Sequence, residues 1–105
     1  MTQHPDPTVS PAWLAERIGA PDIRILDATW FMPADPRDAK ALFAERRIPG
    51  AQFFDIDEIA DTTSDLPHML PSPEKFASRM RKLGIGDGAR VIVYDSHGLF
   101  SAARV

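Results

Sequence analysis

The chain has 105 residues, 44% of them hydrophobic and 26% charged, with a net charge of −3 and no cysteine. That size bounds it to at most one domain, and the apolar content excludes general disorder. The acidic balance excludes a broad nucleic-acid or anionic-membrane surface, and the missing thiols exclude a disulfide framework, a thiolate zinc site and a cysteine nucleophile within these residues.

Residues 1–9 read as a loose lead-in, with Pro5 and Pro7 set against regular structure. They hold neither the basic nor the apolar region of a secretory signal, and no stretch reaches the roughly 20 apolar residues of a membrane span. A cytoplasmic protein with no membrane or nucleic-acid partner is therefore expected. Ser10-Pro11 has the form of an N-cap followed by an N1 proline, and predicts a helix to Ile18 that buries Leu14 and Ile18 and stops at Gly19. Ile23–Ala28 is the first strand, with Asp27 near its C-terminal end. Met32–Pro36 is a loop, and Arg37–Arg47 a helix with Leu42 and Phe43 inward. Ile48-Pro49-Gly50 breaks it ahead of a second strand over 51–55. A helical turn over 56–60 and a proline-rich surface loop over 61–73 follow. Ser72-Pro73-Glu74 repeats the cap pattern and opens a helix to Leu83 whose inward positions are Phe76, Met80 and Leu83. Glycines at 84, 86 and 88 make a turn; they precede a strand, which is the wrong order for a dinucleotide loop. Arg90–Tyr94 is the third strand.

This β–α–β–α–β order predicts an α/β fold, a parallel sheet flanked by helices. Three strands are few, so the sheet is expected to be incomplete. The third strand empties through Asp95-Ser96-His97-Gly98 into what reads as a helix start, the place where α/β folds gather chemistry and where N–H groups favour an anion. The chain ends at Val105, just as that helix begins.

Four segments carry a resemblance: ILDATWFMP (25–33), ERRIPGAQFFDIDEIAD (45–61), PHMLPSPEKFASRMRKLGI (67–85) and VIVYDSHGLFSAARV (91–105). They are similar to the first half of the two-domain rhodanese-like sulfurtransferases, of the 3-mercaptopyruvate type. One departure is Arg47, where the family pattern has His before Ile-Pro-Gly-Ala. The resemblance implies that residues 10–105 are a truncated, catalytically silent N-terminal rhodanese-like domain, partnered by a C-terminal rhodanese domain that holds the active cysteine. It implies transfer of sulfur from 3-mercaptopyruvate, or thiosulfate, through a cysteine persulfide to cyanide or a thiol acceptor such as thioredoxin. No cofactor is implied. The chain alone is expected to be inactive.

The resemblance further places Asp95 at the position of the catalytic cysteine, as a carboxylate filling the anion slot of a silent site. It matches Asp57 and His68 to an Asp and a His proposed to support a Ser of the second domain's cysteine loop. The plainer reading keeps His68 as packing at the domain seam and Asp57 as a turn cap. Asp27 is expected to be structural, bonding loop N–H groups beside the Ile48-Pro49-Gly50 turn. Arg46 and Arg47 read as a solvated helix end before carboxylate-steering groups, and His97 as a solvated loop residue. Trp13, Trp30, Phe31, Phe53 and Phe54 read as core. His4, His68 and His97 have no metal-ligand spacing. The alternative function is a non-catalytic rhodanese-like module binding an anion or a protein.

Overall fold

A computed structural model of the protein describes residues 8–96, 102 and 105. His97, the helix expected after Asp95 and residues 1–7, His4 among them, lie outside the described residues. Among the described residues three strands, β1 (Ile23–Asp27), β2 (Gln52–Phe53) and β3 (Arg90–Tyr94), form one parallel sheet in the order β2-β1-β3. Helices α1 (Pro11–Ala15), α2 (Ala39–Glu45), α3 (Ile56–Ile59) and α4 (Pro73–Lys82) complete the expected α/β architecture. Among the described residues no helix is long and apolar enough to cross a membrane.

β1 is central and pairs on both sides, with Leu26 opposite Gln52 and Val93, and Asp27 opposite Phe53 and Tyr94. Its apolar run is buried on both faces, as a central parallel strand requires. Leu26 joins Phe54, Ile56, Ile59 and Met80 in one cluster, while Ile25 joins Leu14 and Ala51 in another. β2 is shorter than the strand expected over 51–55. One more ladder bond, Phe54 N–H to Asp27 C=O at 2.8 Å, follows it before Asp55 turns to become the N-cap of α3.

The proline-led caps form as the sequence requires. Ser10 Oγ accepts from Trp13 N–H and Ser72 Oγ from Lys75 N–H. Two inward assignments are corrected. Ile18 is 39% exposed, because α1 ends at Ala15 and the chain continues in tight turns, with Arg17 N–H on Leu14 C=O and Ala20 N–H on Arg17 C=O. The 3.6-residue period does not extend to Ile18. Phe76 is 45% exposed: it walls a surface groove, while Met80, one turn later, enters the core. α2 begins two residues later than expected because Asp38 caps it, accepting from Lys40 and Ala41 N–H, while Arg37 pairs with Asp35 at 2.6 Å.

Candidate functional site

All three strands deliver their last residues to the same end of the sheet. At the exit of β1, Asp27 and Thr29 are 3% and 2% exposed. Asp27 Oδ1 accepts from Thr29 N–H at 2.9 Å and from Thr29 Oγ1 at 2.5 Å. The same threonine hydroxyl accepts from Ser96 N–H at 2.9 Å, which ties the chain after β3 to the exit of β1. Tyr94 OH accepts from Ile48 N–H at 3.2 Å. Burial first, and the neighbouring Asp27 carboxylate next among the raising causes, lift the Tyr94 phenol above its ordinary pKa. Asp27 therefore bonds the loop N–H of Thr29, while the Ile48-Pro49-Gly50 turn is tied to β3 by the Tyr94 hydroxyl.

The exit of β2 runs through Asp55 into α3, which carries Asp57 in its first turn. Lys40 on α2 pairs with Asp55 at 2.9 Å, and Arg79 on α4 pairs with Glu58 at 2.6 Å. Lys75 Nζ donates to the carbonyl of Ala60 just beyond α3 at 2.7 Å. This one-turn helix is therefore held from both neighbours, which offsets its small intrinsic stability. The loop that follows folds back on itself: Asp61 N–H donates to Met69 C=O at 2.8 Å. Thr63 donates to Asp61 Oδ1 through its N–H and its hydroxyl, and these bonds hold the Asp61 carboxyl below the usual range.

The closed loop returns His68 to α3. His68 Nε2 lies 2.7 Å from Asp57 Oδ1, so the two residues singled out from the sequence meet across eleven positions. His68 adopts φ 55°, a left-handed conformation that costs an ordinary side chain about 1–2 kcal/mol. Its side chain is 22% exposed and that of Asp57 67%. The pair sits where three hollows adjoin. His68 lines a groove of about 240 Å³ walled by Phe54, Ile59, Leu70 and Phe76. Both residues line a hollow of about 300 Å³ with Asp61 and Ser64, and Asp57 lines a third of about 460 Å³ with Trp30, Arg37 and Lys40.

Asp95 stands at the exit of β3, half-buried, and its Oδ2 accepts from Ala102 N–H at 2.8 Å. Arg46 is exposed; Arg47 stacks on the Phe43 ring and donates to the Phe43 carbonyl at 3.2 Å. Phe31 and Phe54 are core residues, whereas Trp13, Trp30 and Phe53 are half-buried. Trp30 stands edge-on to His68, with ring centroids 4.8 Å apart and planes at 83°. Residue patterns left Trp30, Thr29 and the Tyr94 hydroxyl out of the site. Only the Asp27-x-Thr29 spacing, suited to a side-chain-to-backbone turn, hinted at part of it.

The Rhodanese-like domain family matches residues 10–105. The chain belongs to that family. This rhodanese-like domain is 48% identical over 103 residues to a 3-mercaptopyruvate sulfurtransferase of Homo sapiens, covering 92% of this chain and 35% of that protein. It is 50% identical over 93 residues to a 3-mercaptopyruvate sulfurtransferase of Escherichia coli (strain K12), covering 88% and 33%. The crystal structure of SseA, a 3-mercaptopyruvate sulfotransferase from Escherichia coli with the rhodanese fold, superposes with a TM-score of 0.81 at 49% identity, over 89% of this chain and 36% of that one. A sulfur transferase subunit of yeast mitochondrial complex I superposes with a TM-score of 0.84 at 42% identity, over 91% and 32%. The rhodanese-like domain spans about a third of the length of these relatives. The likeness to mercaptopyruvate-type sulfurtransferases expected from the four motifs is borne out.

Proposed function

We propose that this chain is the supporting N-terminal domain of a sulfurtransferase that takes sulfur from 3-mercaptopyruvate or thiosulfate. In this reading a cysteine of a second rhodanese domain attacks the sulfur of mercaptopyruvate as its thiolate. The sulfur–carbon bond breaks, its electron pair leaves as the pyruvate enolate, and the cysteine becomes a persulfide. The enolate takes a proton to give pyruvate, and a thiol such as thioredoxin, or cyanide, removes the outer sulfur. Asp57 and His68 handle a proton around the substrate carbonyl and the departing enolate, the carboxylate fixing the imidazole's orientation. Asp95 fills the slot that a cysteine takes in an active copy. With no thiol of its own, the chain does not transfer sulfur alone. A cytoplasmic setting belongs to the same reading.

The observation that carries this reading is the 2.7 Å contact between His68 and Asp57, made on the surface by a loop that holds the histidine at positive φ. Residues held in costly backbone conformations cluster at active sites, ligand clamps and switch regions. The test is turnover of 3-mercaptopyruvate by the whole protein bearing this domain. His68→Ala is expected to lower it by about 10²- to 10⁴-fold, the ordinary contribution of a positioned acid or base. Unchanged turnover would reduce the pair to a packing contact. A second reading, a silent module that binds an anion or a protein, is favoured by Asp95, whose carboxylate already satisfies a backbone N–H of its loop. A gene without a downstream cysteine loop would decide for it.

A further inference from the structure

A hydrogen bond to one ring nitrogen fixes a point of an imidazole but leaves the ring free to tilt about that bond. His68 has a second directed contact, the edge-to-face packing against Trp30 at 4.8 Å and 83°, which fixes the plane. Trp30 is itself well anchored. The residue before it, Thr29, is bonded through its N–H and its hydroxyl to the buried Asp27, and the indole packs against the cluster of Leu26, Phe54 and Met80. The nitrogen that meets Asp57 is Nε2. An ionised carboxylate offers only acceptors, so a neutral His68 that keeps this bond carries its hydrogen on Nε2. In serine-protease triads the carboxylate meets Nδ1 and Nε2 does the chemistry; here the two nitrogens are exchanged.

We propose that Trp30 is a positioning residue for His68: it holds the ring plane so that Nε2–H stays on Asp57 and proton exchange runs through Nδ1. The proposal rests on reading Asp57 and His68 as a proton-handling pair, but its test is independent of turnover. The purified protein is labelled with ¹⁵N-histidine, and the ring nitrogens are read by long-range ¹H–¹⁵N correlation near about pH 8.5, two units above an ordinary histidine. His68→Asn assigns the signals. The parent and Trp30→Phe are expected to show a protonated Nε2 and a bare Nδ1. In Trp30→Leu both shifts move towards values averaged over the two tautomers. A bare Nε2 in the parent, or unchanged nitrogen shifts in Trp30→Leu, would overturn the assignment.

Should Trp30→Leu fail to fold, Asp57→Ala removes the other contact at a largely exposed side chain. The His68 ring protons then keep the ring-current displacement imposed by the indole if Trp30 sets the plane. Loss of that displacement together with the carboxylate would show that Asp57 alone places the ring. A silent His68→Ala in the turnover assay would remove the functional reading and leave this geometric result untouched.

Discussion

Thr29→Val is the sharpest perturbation of the buried network at the strand exits. Valine keeps the volume and branching of threonine, so the change removes the hydroxyl and little else. Two hydrogen bonds go with it: the donation to Asp27 Oδ1 at 2.5 Å and the acceptance from Ser96 N–H at 2.9 Å. A bond to a charged acceptor contributes about 1.5–3 kcal/mol and a neutral one about 0.5–1.5. Two features pull the sum to the lower part of that range. Asp27 keeps its bond from Thr29 N–H, and Ser96 is exposed enough for water to replace its lost partner. The expected loss is about 2–3 kcal/mol, which for a domain of this size lowers Tm by roughly 8–24 °C. Urea unfolding followed by tryptophan fluorescence measures it, and hydrogen exchange at Ser96 N–H should quicken in parallel. Thr29→Ser, which keeps the hydroxyl and loses one methyl group, should cost only about 1 kcal/mol. If serine proved as damaging as valine, methyl packing rather than the hydroxyl would be the source of stability, and the network argument would fail.

Two further outcomes test the same framework. Because burial raises the folded-state pKa of Tyr94, its contribution is fully present below the unfolded phenol value of about 10 and is lost as pH rises through the higher folded value. Tyr94→Phe should therefore be about 1 kcal/mol less stable at pH 8, having lost the Ile48 bond, yet decline less steeply in urea midpoint above about pH 10. On α4, Met80→Ala should cost about 2–5 kcal/mol, while Phe76→Ala should cost less than about 1, and a reversed order in urea midpoints would show that the helix presents another face to the core.

The parts legible in the sequence were those decided by neighbours along the chain. β1, β3 and both serine-proline caps depend on local apolar runs and on a hydroxyl three residues from the N–H it accepts. Burial on α1 and α4 was legible only where the helical period ran on uninterrupted. It held for Leu14 and Met80 and failed for Ile18, beyond the end of α1, and for Phe76, beside the groove. The site was legible in a different way. Asp57 and His68 were singled out by resemblance, and no spacing rule brings them together, since the loop between them closes through the bond from Asp61 N–H to Met69 C=O. Nor does a local pattern reveal that Thr29 meets Ser96 or that Tyr94 meets Ile48, because those partners lie 67 and 46 positions apart.

Those distant partners explain how so small a domain can hold several groups in one place. In the parallel ladder, Asp27 stands opposite both Phe53 and Tyr94. Two residues beyond Phe53 lies Asp55, the cap of the helix that carries Asp57; one beyond Tyr94 lies Asp95. Two beyond Asp27 itself lies Thr29, and then Trp30 against His68. The register at a single buried carboxylate therefore sets where three separate chain segments leave the sheet. Side-chain bonds of Thr29 to Asp27 and Ser96, and of Tyr94 to Ile48, reinforce at that level what the backbone ladder begins. A shift at Asp27 would displace Asp57, Asp95 and Trp30 together, since each leaves its strand within four residues of this pairing level. The Asp57–His68 contact and the exit at Asp95 are in this sense one construction, and a substitution that loosens Asp27 should disturb both ends of it while leaving α1 and the Leu14 cluster in place.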